Sequence, residues 1–253
     1  MSVSIMMTSD WHVDAKTAGV PRFVELQDRV TELVKEAVTR KCEHFMFLGD
    51  FHDPDSVEWW KYQKLLAWTV ITLANAGIRS HWVQGNHDVV KSLSSTYSTL
   101  SVIHELTNAL KVKPYLYEEP TCRPADNKDG LPFNLVALPY PSMASYNADM
   151  SVAASVRSFV PKCKRTYTTI VISHMQLSGM VPGSESREMA RGVDHELPMT
   201  DIALLPNVRV FQGHYHRHQQ FTRCGVDVTV VGSLARLHFD EEDHNPGFVQ
   251  VNT

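Results

Sequence analysis

The chain has 253 residues, 43% hydrophobic and 21% charged, the balance of a soluble globular protein with a sizeable core. A formal net charge of −4 gives no global attraction to nucleic acid, so any such binding must rest on local basic groups or metal ions. No apolar run approaches the roughly 18 residues of a membrane span, and MSVSIMMTSDWH meets Asp10 too early for a signal peptide; the cytoplasm is the expected location, the host's if the protein is phage-encoded.

In chain order, residues 3–8 form a short apolar run ending in polar residues, as a buried strand does at the rim of a sheet. Phe23, Leu26, Val30, Leu33, Val34, Ala37 and Val38 recur at helical spacing behind Pro21, predicting a helix over 22–41. A second buried strand, 44–48, ends at Gly49-Asp50, completing a βαβ unit with polar residues at both strand ends. The pattern repeats with a helix over 57–76, a strand over 79–83, Gly85-Asn-His-Asp88 and a helix over 94–110. Residues 114–132 read as an irregular connection. Strands follow at 135–138 and 169–172 with a helix around 144–159 between them, then at 208–212, 219–223, 226–231 and 248–251. No domain boundary is visible, so one catalytic domain over 1–253 is expected, with no separate capping domain.

Several side chains invite a structural reading. Cys42, Cys122, Cys163 and Cys224 lack CxxC spacing and read as buried free thiols. Trp59, Trp60, Leu65, Leu66 and Trp68 read as core packing, with a self-association face, and hence a homodimer, as the alternative. His81, His104, His195, His238 and His244 have no motif context and are expected at the surface or in local bonds, whereas His44, before a buried strand, is expected to be structural.

Four apolar strands end in metal-type side chains: Asp10-Trp-His12, Gly49-Asp-Phe-His-Asp53, Gly85-Asn-His-Asp88 and Ser173-His174. Gly213-His-Tyr-His216 makes a fifth. One such match is weak, because Asp, Asn and Gly favour strand-end turns for backbone reasons. Five in one chain point to a shared site. Carboxylate, amide and imidazole without thiolate suit Mn²⁺, Fe²⁺ or Mg²⁺ better than structural zinc, and two ions about 3.5–4 Å apart need a carboxylate between them.

These motifs, in this order, resemble the calcineurin-like metallophosphoesterase superfamily. The resemblance implies an α/β fold, a double β-sheet sandwich flanked by helices (α/β/β/α), with the site at the carboxyl ends of the strands. It assigns Asp10, His12 and His216 to a first metal, Asp50 to the bridge, and Asn86, His174 and His214 to a second. Mn²⁺ is the expected ion, with Fe²⁺, Mg²⁺ and Zn²⁺ as alternatives. His87 would protonate or steady the leaving oxygen rather than bind metal, so activity should fall as pH rises through its titration. His218 has no place in that set, and Asp53 and Asp88 read as turn residues or partners that orient a ligating imidazole.

The motif Gly49-Asp-Phe-His-Asp53, Gly85-Asn-His-Asp88, the run His174 to Arg187, and Gly232-Ser233 with the acidic stretch to Gly247-Phe248 look more like the SbcD-type nuclease subunit than a protein phosphatase. That likeness implies a two-metal DNA nuclease with His52 facing the substrate and an SbcC-like ATPase as partner; separately, Arg187 is read as a phosphate contact if it lines the cleft, a surface arginine being the commoner outcome. Arg191, Arg217 and Arg236 are further candidates for phosphate. Because the chain ends at Thr253, soon after the catalytic features, duplex binding and the ATPase partnership are not implied with equal force. The alternatives are a small-molecule phosphoesterase acting on cyclic nucleotides or nucleotide polyphosphates, and a non-catalytic scaffold of the same fold.

Overall fold

The computed structural model describes residues 2–90, 97–142, 151–181 and 196–253. The chain runs β1 (Ser4–Thr8), a two-residue hairpin of β2 (Lys16–Thr17) and β3 (Val20–Pro21), α1 (Phe23–Thr39), β4 (His44–Phe47), α2 (Trp59–Asn75), β5 (Arg79–Val83) and α3 (Val102–Ala109). Two short strands follow, β6 (Tyr115–Tyr117) and β7 (Thr121–Arg123), then β8 (Asn134–Leu138), α4 (Val152–Phe159), β9 (Thr169–Ser173), α5 (Met199–Ile202), β10 (Val208–Gln212), β11 (Gln219–Arg223), β12 (Val226–Val230) and β13 (Val249–Asn252).

These strands form two sheets, ordered β13-β1-β4-β5-β6 and β11-β12-β10-β9-β8-β7. Within the first, β1, β4, β5 and β6 are parallel; within the second, β8, β9, β10 and β12 are parallel. Antiparallel strands close both edges of the second sheet and one of the first.

The period of two along each strand sorts side chains into layers. Met6, Phe45, Phe47 and Trp82 face α1 and α2, meeting Leu26, Val30, Leu33, Leu66 and Val70. Their neighbours Ile5, Met7, Met46, Leu48 and Val83 face the other sheet, against Leu135, Ala137, Ile170, Ile172 and Phe211. Val136, Leu138, Val171, Val210 and Val228 turn outward to Val156, Phe159 and Ile202. The result is helix, sheet, sheet, helix, as the motifs imply.

Some local expectations change. Residues 115–117 and 121–123, read as irregular, are edge strands, because backbone pairing to β5 and β8 outweighs their turn-rich composition. Leu65 and Leu66 are core, but Trp59, Trp60 and Trp68 are 54%, 52% and 40% exposed, so the core reading holds for only one face of α2. His81, expected at the surface or in local bonds, is fully buried on the inner face of β5 between His44 and Tyr117, while His244 is buried with its backbone in local bonds to Glu241 and Arg236. Cys42 and Cys163 are buried, Cys122 is half-buried and Cys224 is exposed, all as free thiols. No described helix is long and apolar enough to cross a membrane.

Candidate metal centre

The parallel strands β1, β4, β5, β9 and β10 end on one rim, where backbone bonds lock the following loops together. Asp10 N and Trp11 N donate to Gly49 O and Asp50 O at 2.9 Å each, and Gly213 N donates to Ser173 O at 2.9 Å. Tight reversal at the strand ends forces left-handed backbone: Asp10, His12, Asp50 and His214 have φ of 52°, 40°, 64° and 73°. Such conformations cost about 1–3 kcal/mol each and cluster where function requires them.

Asp88 braces the rim. Its carboxylate accepts from Asp50 N, Phe51 N, Gly85 N and the Thr99 hydroxyl at 2.8–2.9 Å, so it orders the loop carrying Asp50. It therefore holds backbone rather than an imidazole.

The rim side chains converge. Three groups each place one ligand-type atom per residue within 4.8 Å of one another: Asp10, His12 and His216; His12, Asp50 and His87; and Asp50, His174 and His214. Asp50 Oδ2 lies 3.5 Å from His12 Nε2 on one side and 3.1 Å from His174 Nε2 on the other. Asn86 Oδ1 lies 3.1 Å from His174 Nε2 and 3.0 Å from His214 Nδ1. All seven predicted ligands therefore meet at one place, with Asp50 between two sets.

The donor set fits divalent cations. Both Asp10 carboxylate oxygens and His214 Nε2 are buried without a hydrogen-bond partner, which is costly unless something else compensates. The nearby Ser9 hydroxyl donates to Leu48 O at 3.2 Å. His12 Nε2 and His216 Nε2 lie 3.3 Å apart, so two ring nitrogens converge on one point. Nitrogen and oxygen donors without sulfur suit manganese, iron or magnesium.

Protonation reflects the same crowding. Burial pushes Asp10 up to about 6, with Asp50 adding to the rise. Burial also lowers His12 well below its usual value and His214 to about 3. Burial opposes the charge on His174 as well, but the Asp50 carboxylate overrides it and raises that ring to about 9. For Asp50 burial acts upward, yet His174, His87 and His12 hold it well below the carboxylate range.

His87 Nδ1 lies 2.8 Å from Asp53 Oδ1, which turns Nε2 the other way, and its backbone N–H donates to Asp50 Oδ1 at 2.9 Å. His52 is 1% exposed: Nδ1 bonds Asp53 O at 2.7 Å and Nε2 sits 3.0 Å from Gln63 Nε2, with Tyr62 against the ring. To reach a substrate it would have to give up both bonds. His218 is exposed and belongs to none of the three groups, and Arg217 and Arg236 are exposed. Arg187, Arg191 and His195 lie outside the described residues.

Three residues at the site escaped sequence reasoning. Glu241 is fully buried and bonds His216, Gln63 bonds His52, and Asp14 accepts from Asp53 N at 3.1 Å and from the Ser56 hydroxyl. None stands at motif spacing from its partner; the acidic run around Glu241 was the only signal.

A family model described as calcineurin-like phosphoesterase matches residues 3–218. No curated protein sequence matches significantly. Among solved structures, a dimetal phosphatase from Danio rerio aligns over 98% of this chain and 91% of its own, with 10% identity and a TM-score of 0.61. The phosphopantetheinyl hydrolase of Mycobacterium tuberculosis aligns over 99% and 96%, at 12% identity and a TM-score of 0.51. A purple acid phosphatase from yellow lupin aligns over 100% of this chain and 49% of its own, at 13% identity and a TM-score of 0.57. At these identities the likeness is one of fold.

Proposed function

Because the chain belongs to the calcineurin-like phosphoesterase family, we propose that it is a two-metal phosphodiesterase acting on nucleic acid, with DNA as substrate and Mn²⁺ as the working ion. The observation that carries the two-metal reading is Asp50, which belongs to two convergent groups, one with His174 and His214 and one with His12 and His87, while His12 also joins Asp10 and His216. Asp10, His12 and His216 would hold the first ion and Asn86, His174 and His214 the second, with Asp50 placed to serve both. When bound, such a pair activates water near neutral pH and neutralises charge on phosphoryl oxygens.

The remaining chemistry belongs to the chain. Asp53 fixes the ring plane of His87, whose Nε2 delivers a hydrogen bond or proton to the leaving oxygen. His52 acts through Asp53: by bonding its carbonyl, it steadies the loop that carries the His87 partner. The nuclease reading is supported by Gly49-Asp-Phe-His-Asp53 and by the later SbcD-like features. A small-molecule phosphoesterase is the second reading, favoured by the fold neighbours described as phosphatases and a hydrolase.

A substrate panel with Mn²⁺ separates the two. Cleavage of single-stranded or duplex DNA supports the nuclease, while turnover of cyclic nucleotides or nucleotide polyphosphates with DNA left intact overturns it. His87→Ala should keep both ions by elemental analysis while turnover falls about 10²–10⁴-fold. Loss of metal in that variant would make His87 a ligand instead.

A further inference from the structure

The late part of the chain returns to the site after the second sheet is complete. Ser233 bridges to Ser9, next to Asp10, and the carbonyls of Arg236 and Leu237 accept from Arg22 and Thr17 at 3.0 and 2.7 Å. A 3-10 turn follows, Phe239–Glu241, in which Phe239 is 78% exposed and Glu241 fully buried. A buried carboxylate needs partners for its oxygens. Oε2 accepts from Leu237 N at 2.6 Å, and Oε1 lies 2.7 Å from His216 Nδ1.

We propose that Glu241 is a positioning residue for the first ion, keeping the proton of His216 on Nδ1 so that the Nε2 lone pair faces Asp10 and His12. This rests on the two-ion reading above. Leu237 N–H anchors one oxygen and thereby aims the other at the imidazole, a carboxylate–histidine arrangement that raises ligand basicity. The second ligand group is built differently: at His174 the Nδ1 partner is the backbone carbonyl of Leu48, part of the sheet rim itself. The site of the first ion would therefore depend on the Glu241 carboxylate, whereas His174 in the second group is set by the sheet rim.

Glu241→Gln tests this, since an amide can accept from His216 or from Leu237 N–H but not from both. Thr17→Val loosens the same segment without touching the carboxylate, and His218→Ala alters a neighbouring exposed ring. Metal-free proteins are titrated with Mn²⁺ by calorimetry and electron paramagnetic resonance. Wild type, Thr17→Val and His218→Ala should each take two ions with an exchange-coupled spectrum. Glu241→Gln should bind one ion unchanged and the other about 10–100-fold more weakly, with an uncoupled spectrum at one equivalent.

Both affinities within about two-fold of wild type in Glu241→Gln would overturn the inference, as would equal weakening in Thr17→Val. Failure of wild type to take two ions overturns the two-ion reading and this one with it. Nitrogen–proton correlation spectra of histidine-labelled wild type with Mg²⁺ give a check that needs no variant: His216 protonated on Nδ1 supports the assignment, and protonation on Nε2 removes it.

Discussion

At the scale of single residues, the centre stores protons where cations would sit. His174, raised to about 9 beside Asp50, is charged at neutral pH in the metal-free protein, and Asp10, raised to about 6 by burial, is partly protonated below neutrality. Asp50 is already ionised, and His12 and His214 are already neutral, so they have little to release. An ion taking its place must displace the His174 proton. Mn²⁺ binding near pH 7 should therefore release protons, and its affinity should rise with pH up to about 9, because proton competition weakens in that direction. Calorimetry in buffers of different ionisation enthalpy measures the release directly, and heats independent of buffer would contradict it.

At the scale of elements, the site depends on how closely strand ends can approach. Gly49, at the end of β4, has φ +99°, and a Cβ there would meet the His174 ring, with Cγ at 2.6 Å, and Gly85 Cα at 2.9 Å. Gly77, after α2, has φ +80° and nothing within 4 Å of a Cβ. Gly77→Ala should thus cost only the left-handed backbone, about 1–2 kcal/mol. Gly49→Ala should cost about 1–3 kcal/mol more, from overpacking, and should reduce metal content by displacing His174. Urea unfolding of the two variants gives the comparison, and equal losses would show that the rim has room to spare.

At the scale of the whole molecule, the layer between the sheets carries more than apolar side chains. His44 Nδ1 lies 3.2 Å from His81 Nε2, and His81 Nδ1 lies 3.0 Å from the Tyr117 hydroxyl, a buried line across β4, β5 and β6. Burial lowers His44 to about 4 and His81 well below its usual value, so both are neutral in the folded protein. In the unfolded chain they titrate near about 6.5. With folded values depressed, their contribution to stability is complete above about pH 6.5 and is lost as pH falls towards about 4. Thermal melts across that range should show a shallower acid loss for His81→Leu than for wild type; parallel curves would place the acid sensitivity elsewhere.

The order of most strands and helices was legible in the sequence, because apolar periodicity is a local signal that the backbone converts into position, while the seven residues that converge on the rim were singled out by the family resemblance of their strand-end motifs. Even so, the three histidines of Gly213–His218 look equivalent in one dimension, and the loop separates them: His214 and His216 enter different groups and His218 faces solvent. What only the tertiary structure decided are the partners: Asp53 on His87 at a separation of 34 residues, Glu241 on His216 at 25, Leu48 O on His174 at 126. It also decided the burial of His81 and the exposure of Trp59, Trp60 and Trp68. A hydrogen bond or a buried ring is a property of distance in space, set by how two sheets register, and no local spacing encodes it.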